Sequence, residues 1–189
     1  SLFDLLSKGS IDVMFSWCSL ASKGHVKEIP FLEQSNVIVI AKSKAANLDL
    51  TAPNKDVFRE LCTCGLPMIV HPNFTFFPES VPAMLNARGY SFPRKFGIDG
   101  NLLQIELAAK GIGWCITQPL CFYPHLEFLD DVVLIPAQGL KRVIRLVSLA
   151  NTPQTPADIT LEAVRAIFSR RILPAIHRVM PPSVLCRLL

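Results

Sequence analysis

The sequence has no long hydrophobic run: its longest unbroken apolar stretch with β-branched residues, Val37–Ala41, falls far short of the ~18–20 residues that cross a bilayer. A membrane span is therefore not expected, and the N-terminus carries neither the basic region, the apolar core nor the small-residue cleavage site of a signal peptide. Charge is also sparse, at 18% of residues, and the basic ones are scattered apart from Lys141-Arg142 and Arg170-Arg171. A net charge of +4 without a basic stripe, a helix-turn-helix pattern or aromatic stacking motifs argues against sequence-specific DNA binding by this chain. Missing too are a Gly-x-Ser-x-Gly elbow, a Walker loop and a His-Glu-x-x-His helix, so no enzyme is expected. Asp12, Asp130 and Asp131 can be paired with His25 or His125 only on paper.

Six cysteines are present, Cys18, Cys62, Cys64, Cys115, Cys121 and Cys186, but not the paired spacing of a zinc ribbon or finger. Cys62-Thr63-Cys64 followed by His71 is the nearest approach. No metal and no cofactor are expected, and reduced thiols fit a chain that is 50% hydrophobic and can fold without staples. With 189 residues there is room for one domain or two small lobes.

Strand and helix patterns alternate along the chain. Leu2, Phe3, Leu5 and Leu6 form a helical stripe stopped by Gly9, and Ile11 to Trp17 reads as a strand. Val37 to Ala41 suits a strand buried on both faces, Asn54 to Leu61 a short helix, and Leu66 to Val70 the next strand. Glu79 to Ala87 is a helix if Pro82 lies in its first turn. Lys95 to Ile98 is a strand, Leu102 to Lys110 a helix capped from Asp99-Gly100-Asn101, and Gly113 to Thr117 another strand. Val132 to Ile135 and Val143 to Ala150 are the last strands, followed by an amphipathic helix over Leu161 to Leu173. This rhythm predicts an α/β fold with mainly parallel sheets.

The stretch from Asn101 to Pro119, NLLQIELAAKGIGWCITQP, resembles the effector-domain signature of LysR-type transcription regulators: a helix, a Gly-x-Gly turn, a strand and then proline. Leu5 to Val13 and Gly65 to Val70 resemble neighbouring pieces of that family in the right order. Physical reasons for the glycines stand beside the resemblance. Gly111 falls where a helix end needs a left-handed residue, and Gly113 lets the strand leave close to the helix it packs on. The resemblance implies a two-lobed fold of the type II periplasmic-binding-protein kind, each lobe a mainly parallel sheet flanked by helices. Lobe I is placed at 1–66 plus 141–176, without the family's first strand and helix; lobe II is 67–140, and 177–189 is a C-terminal tail.

The implied function is a cytoplasmic ligand-sensing domain that binds a small-molecule effector between the lobes. It would act as a homodimer or tetramer and reach DNA only through a DNA-binding domain that this chain does not contain. Alternatives are a solute-binding protein of a transporter and a cysteine-based redox sensor built on Cys62 and Cys64 or on Cys115 and Cys121.

In such folds ligands sit beyond the carboxyl ends of strands, near helix N-termini. The candidate effector-binding residues are therefore Ser16, Trp17, Asn73, Phe74, Thr75, Asp99, Gly100, Asn101, Thr117 and Gln118. Phe74 and Phe76 serve equally as core filling, and Asn101 serves as a helix cap rather than first as a ligand contact, though it could do both. Asp99 would repel an anionic effector. His71, with no partner identifiable in the sequence, reads as structural.

Overall fold

In a computed structural model of the protein, residues 2–48, 56–72, 81–92 and 95–189 are described, with the backbone alone at Gln154. Eight α-helices and seven strands are placed among them. The chain divides into two compact units. The first comprises Ser1–Gln34, Lys141–Val179 and Leu185–Leu189, and the second Ser35–Leu140 with Met180–Val184. The later crossing falls at Leu140/Lys141. The earlier one falls at Gln34/Ser35, so residues 35–66 group with the second unit. Segment 177–189 is also not a simple tail, since β7 (Cys186–Leu188) pairs antiparallel with residues 32–34 of β2 (Val26–Ala41) in the first unit.

In the first unit, α1 (Leu2–Ser7) leads into β1 (Val13–Ser16), which pairs antiparallel with the end of β6 (Val132–Leu149). The apolar stripe of α7 (Gln154–Ile167) passes through a π-helical turn at Phe168–Ile172 into α8 (Leu173–Val179). Phe31, 2% exposed, is the hub of this core. Its ring lies 5.3 Å from that of Phe15 and 5.0 Å, edge-on, from that of Phe168. Such pairs add directionality to the burial of two large rings.

The second unit holds β3 (Met68–Val70), β4 (Lys95–Gly97) and β5 (Trp114–Thr117), with β3 parallel to both of the others, and residues 37–40 of β2 antiparallel to β5. α3 (Val57–Thr63) and α4 (Val81–Ala87) supply Phe58, Leu61, Val81 and Leu85 to one face, where they join Ile38, Ile40, Met68, Val70 and Trp114. Pro82 lies in the first turn of α4, where its missing N–H costs nothing. α5 (Asn101–Ala109) buries Gln104, Ile105 and Ala108, and α6 (Pro119–Phe122) has its proline at the first helical position.

The α/β class is as expected, but mainly parallel strands describe only the second unit; the pairings given above for the first are antiparallel. The reason lies in β2 and β6, long strands of 16 and 18 residues. Lys27, Glu28, Pro30 and Glu33 interrupt the apolar pattern of β2, so the sequence shows only its buried end. Pro136 and Gly139 likewise split β6 into two apparent strands, although Gly139, with φ +71°, sits within one.

Gly111 has φ +73°, the left-handed helix end expected of it. Gly113 packs against a strand rather than a helix. A Cβ there would run into the Pro67 carbonyl oxygen and lie 3.0 Å from the Ile69 side chain, beside a Trp114 N–H to Pro67 carbonyl bond of 3.1 Å.

Candidate polar site at the carboxyl edge of the second unit

Parallel strands end on the same side, so β3, β4 and β5 deliver His71, Asp99 and Thr117 to one edge of the second unit, the edge that parallel α/β sheets use for ligands. Strand β2 runs the other way, and its register of Val37 opposite Thr117 carries Asn36 to the same edge. Asn36 is 1% exposed and Thr117 2%. Alternation along the strands sends them to opposite faces: Asn36 to the face of Ile38, Thr117 to the face of Cys115. The two therefore bracket the edge from both sides.

Hydrogen bonding in this cluster is incomplete. The Gln118 amide donates to Asn36 Oδ1 at 2.8 Å, and the Cys121 thiol donates to Gln118 Oε1 at 3.4 Å. Asn36 Nδ2 and Thr117 Oγ1 are buried without a hydrogen-bond partner. A buried donor left unmatched costs about 1–3 kcal/mol, so the cluster holds a binding capacity that the folded chain does not use.

The α5 N-terminus opens at the same edge. Gly100, with φ +95°, occupies the cap position, and no side chain caps the helix; Asn101 is its first helical residue. The expectation that Asn101 caps the helix is thus corrected, because Gly100 adopts a conformation that asparagine reaches less easily. The first-turn N–H groups and the positive end of the helix dipole remain available to an acceptor. Gln104 braces the loop below by donating to the Ile98 carbonyl at 2.8 Å.

His71 has a partner after all. Its Nε2 lies 2.6 Å from Asp99 Oδ1, the histidine 21% and the aspartate 78% exposed. Two strand ends that the sequence separates by 28 positions meet here, which is why the sequence offered no partner. The pairing gives the Asp99 carboxylate a hydrogen-bonding neighbour at this edge.

Ser16 and Trp17 lie in the first unit. Ser16 Oγ donates to the Cys18 carbonyl at 2.7 Å and accepts from the Cys18 N–H at 3.2 Å, so it closes the turn after β1. The Trp17 ring has the Arg142 guanidinium 4.4 Å from its centroid, a cation–π contact. Asn73, Phe74 and Thr75 fall outside the described residues, as does Phe76. Asp99, Gly100, Asn101, Thr117 and Gln118 are brought to one edge. Asn36 was missed because the strand was read as beginning at Val37; a lone amide leading into five apolar residues was the available signal.

Three of the thiols are poorly set up for exchange. All six are free. Burial pushes Cys115 up to about 12 and Cys186 up to about 11, and it also raises Cys62. A thiol held protonated is a poor nucleophile. Among the described residues no group of three or more His, Cys, Asp or Glu could hold a metal ion, and no helix is long and apolar enough to cross a membrane.

No family model and no curated protein matches the sequence. Solved structures do match the fold. The regulatory domain of MetR, a LysR family regulator from N. meningitidis, is similar with a TM-score of 0.66 at 16% identity, over 100% of this chain and 80% of that one. A cysteine mutant of Corynebacterium glutamicum OxyR is similar with a TM-score of 0.71 at 16% identity, over 95% of this chain and 55% of that one. Full-length CbnR, in a complex with its target DNA, is similar with a TM-score of 0.63 at 13% identity, over 87% of this chain and 55% of that one. The chain thus spans about half the length of two of these three proteins. It has the fold of LysR regulatory domains, the type II periplasmic-binding-protein-like fold.

Proposed function

We propose that this chain is the effector-sensing domain of a LysR-type transcription regulator, and that its ligand binds at the carboxyl edge of the second unit. The observation that carries the site is the pair of buried unpartnered groups, Asn36 Nδ2 and Thr117 Oγ1, beside an uncapped helix N-terminus. Donors of this kind suit an effector with acceptor oxygens. The domain itself performs no chemistry. It shifts the balance between arrangements of a homo-oligomer, and DNA is contacted by a separate domain of the parent protein, as in full-length CbnR. This reading places the protein in the cytoplasm.

A redox-sensing role, suggested by the OxyR likeness, is the second reading. The raised thiols of Cys62, Cys115 and Cys186 weigh against it, since burial opposes the thiolate that peroxide attacks.

The test is a thermal-shift screen of the 189-residue chain against small carboxylates, amino acids, amines and aromatic metabolites. A true effector at a hundredfold excess over its Kd should stabilise the domain by about 2.7 kcal/mol. That gain should vanish in Asn36→Ala and Thr117→Val. No hit, together with a disulfide formed under mild peroxide, would favour the redox reading.

A further inference from the structure

A second cleft lies in the second unit, away from the carboxyl edge. It encloses about 580 Å³ between the start of α3, the end of α4 and the middle of β6, and is lined by Asp56, Phe58, Arg88, Tyr90, Pro136 and Gln138 among others. That volume is in the range of small-molecule sites.

Its polar groups are fixed in place. Arg88 Nη1 donates to the Gln138 carbonyl at 3.1 Å and Nη2 to the Gly139 carbonyl at 2.8 Å, which orients the guanidinium while leaving further N–H donors. The guanidinium packs against Gly139, whose φ of +71° favours glycine. Across the cleft, the Tyr90 hydroxyl donates to Asp56 Oδ2 at 3.0 Å, and the Arg59 N–H donates to Oδ1 at 3.2 Å. Burial works to raise Asp56, but the hydrogen bonds from Arg59 and Tyr90 and the Arg59 charge outweigh it and hold the carboxyl below its ordinary value. Apolar surface also lines the cleft, where the Tyr90 ring lies 5.4 Å from that of Phe58.

A fixed cation, a fixed anion and an apolar wall in one cleft complement a molecule that carries the opposite charges on a small apolar body. We propose that this cleft binds a zwitterionic, apolar α-amino acid, its carboxylate on Arg88 and its ammonium on Asp56. A monocarboxylate would engage Arg88 alone and an amine Asp56 alone, whose carboxylate already pairs with Arg59 Nε at 3.5 Å. The site is independent of the effector edge, and a ligand here would act as a second input to the domain.

Calorimetric titration of the 189-residue chain with L-leucine, isocaproate and isoamylamine tests this, because the last two each lack one of leucine's charged groups. L-leucine should bind saturably, and each analogue about tenfold or more weaker, the loss expected from one charge-assisted hydrogen bond. Arg88→Gln and Asp56→Asn should each weaken leucine by a similar factor with an unchanged circular dichroism spectrum. Asp56→Asn is isosteric and decides the matter even if Arg88→Gln fails to fold. Thr117→Val separates the two sites: leucine binding lost in that variant but kept in Asp56→Asn would overturn the proposal while supporting the effector edge. Equal binding of leucine and isocaproate, or no saturable binding at millimolar leucine, would overturn it outright.

Discussion

The two units treat their strand ends differently. In the first, the turn after β1 is saturated: Ser16 satisfies its own turn, and Glu28 accepts from Ser19 Oγ at 3.1 Å and from the Leu20 N–H while pairing with Arg145 at 3.5 Å. In the second, the corresponding edge keeps Asn36 Nδ2 and Thr117 Oγ1 buried and unmatched. Both edges are polar, so polarity alone does not mark a site; unspent hydrogen-bonding capacity does. Among the described residues, Asn36 Nδ2, Thr117 Oγ1 and Trp114 Nε1 are buried without a hydrogen-bond partner, and all three belong to the second unit. Of these, Trp114 Nε1 sits on a residue whose ring packs edge-on against Phe92, which fits core rather than ligand contact.

The comparison makes the first unit a scaffold, and the largest expected effect follows from emptying it. Phe31→Ala removes the ring between Phe15 and Phe168 and should cost about 3–5 kcal/mol in chemical denaturation, enough to unfold a marginal domain. Gly113→Ala in the second unit should cost roughly 2–4 kcal/mol, because the added methyl meets the Pro67 carbonyl and a strand must move. A cost below about 0.5 kcal/mol would show that β3 and β5 are less tightly docked than described.

Thr117→Val should have a small effect of the opposite sign. It replaces an unmatched hydroxyl by an isosteric methyl, so the unliganded domain should be as stable or up to about 1 kcal/mol more stable, while ligand response is lost. Destabilisation instead would mean that Thr117 is structural. The smallest effect belongs to Asp56. Its folded-state carboxyl is lowered, so its contribution is present above the ordinary carboxylate range and fades as pH falls through the folded value. Melting temperatures between about pH 5 and pH 2 should therefore decline less in Asp56→Asn than in the parent. Alkylation sharpens the thiol contrast: Cys115 and Cys186 should stay unmodified in the folded protein and react after denaturation.

Much of the second unit was legible in the sequence because its elements are short and end on glycine or proline. α4, α5 and β5 lie within a few residues of their expected places, and Gly111 adopts the left-handed conformation anticipated for it. The long strands were not legible. β2 and β6 mix buried and exposed positions along 16 and 18 residues, and a pattern that changes partway reads as two elements or as none. Site residues followed the same division. Thr117, Gln118 and Asp99 were expected at this edge from strand ends and a helix start, which are local signals. Asn36 and the His71–Asp99 pair depend on strand register, which joins residues distant in the chain and leaves no local trace.

The most direct test of the central claim is amide hydrogen exchange of the domain with and without the strongest stabilising compound from the screen. Exchange should slow at residues 98–104 and 116–121, the α5 N-terminus and the end of β5, with little change around Ser16 and Trp17. Protection confined to the first unit, with residues 116–121 unchanged, would contradict it and move the effector site away from Asn36 and Thr117.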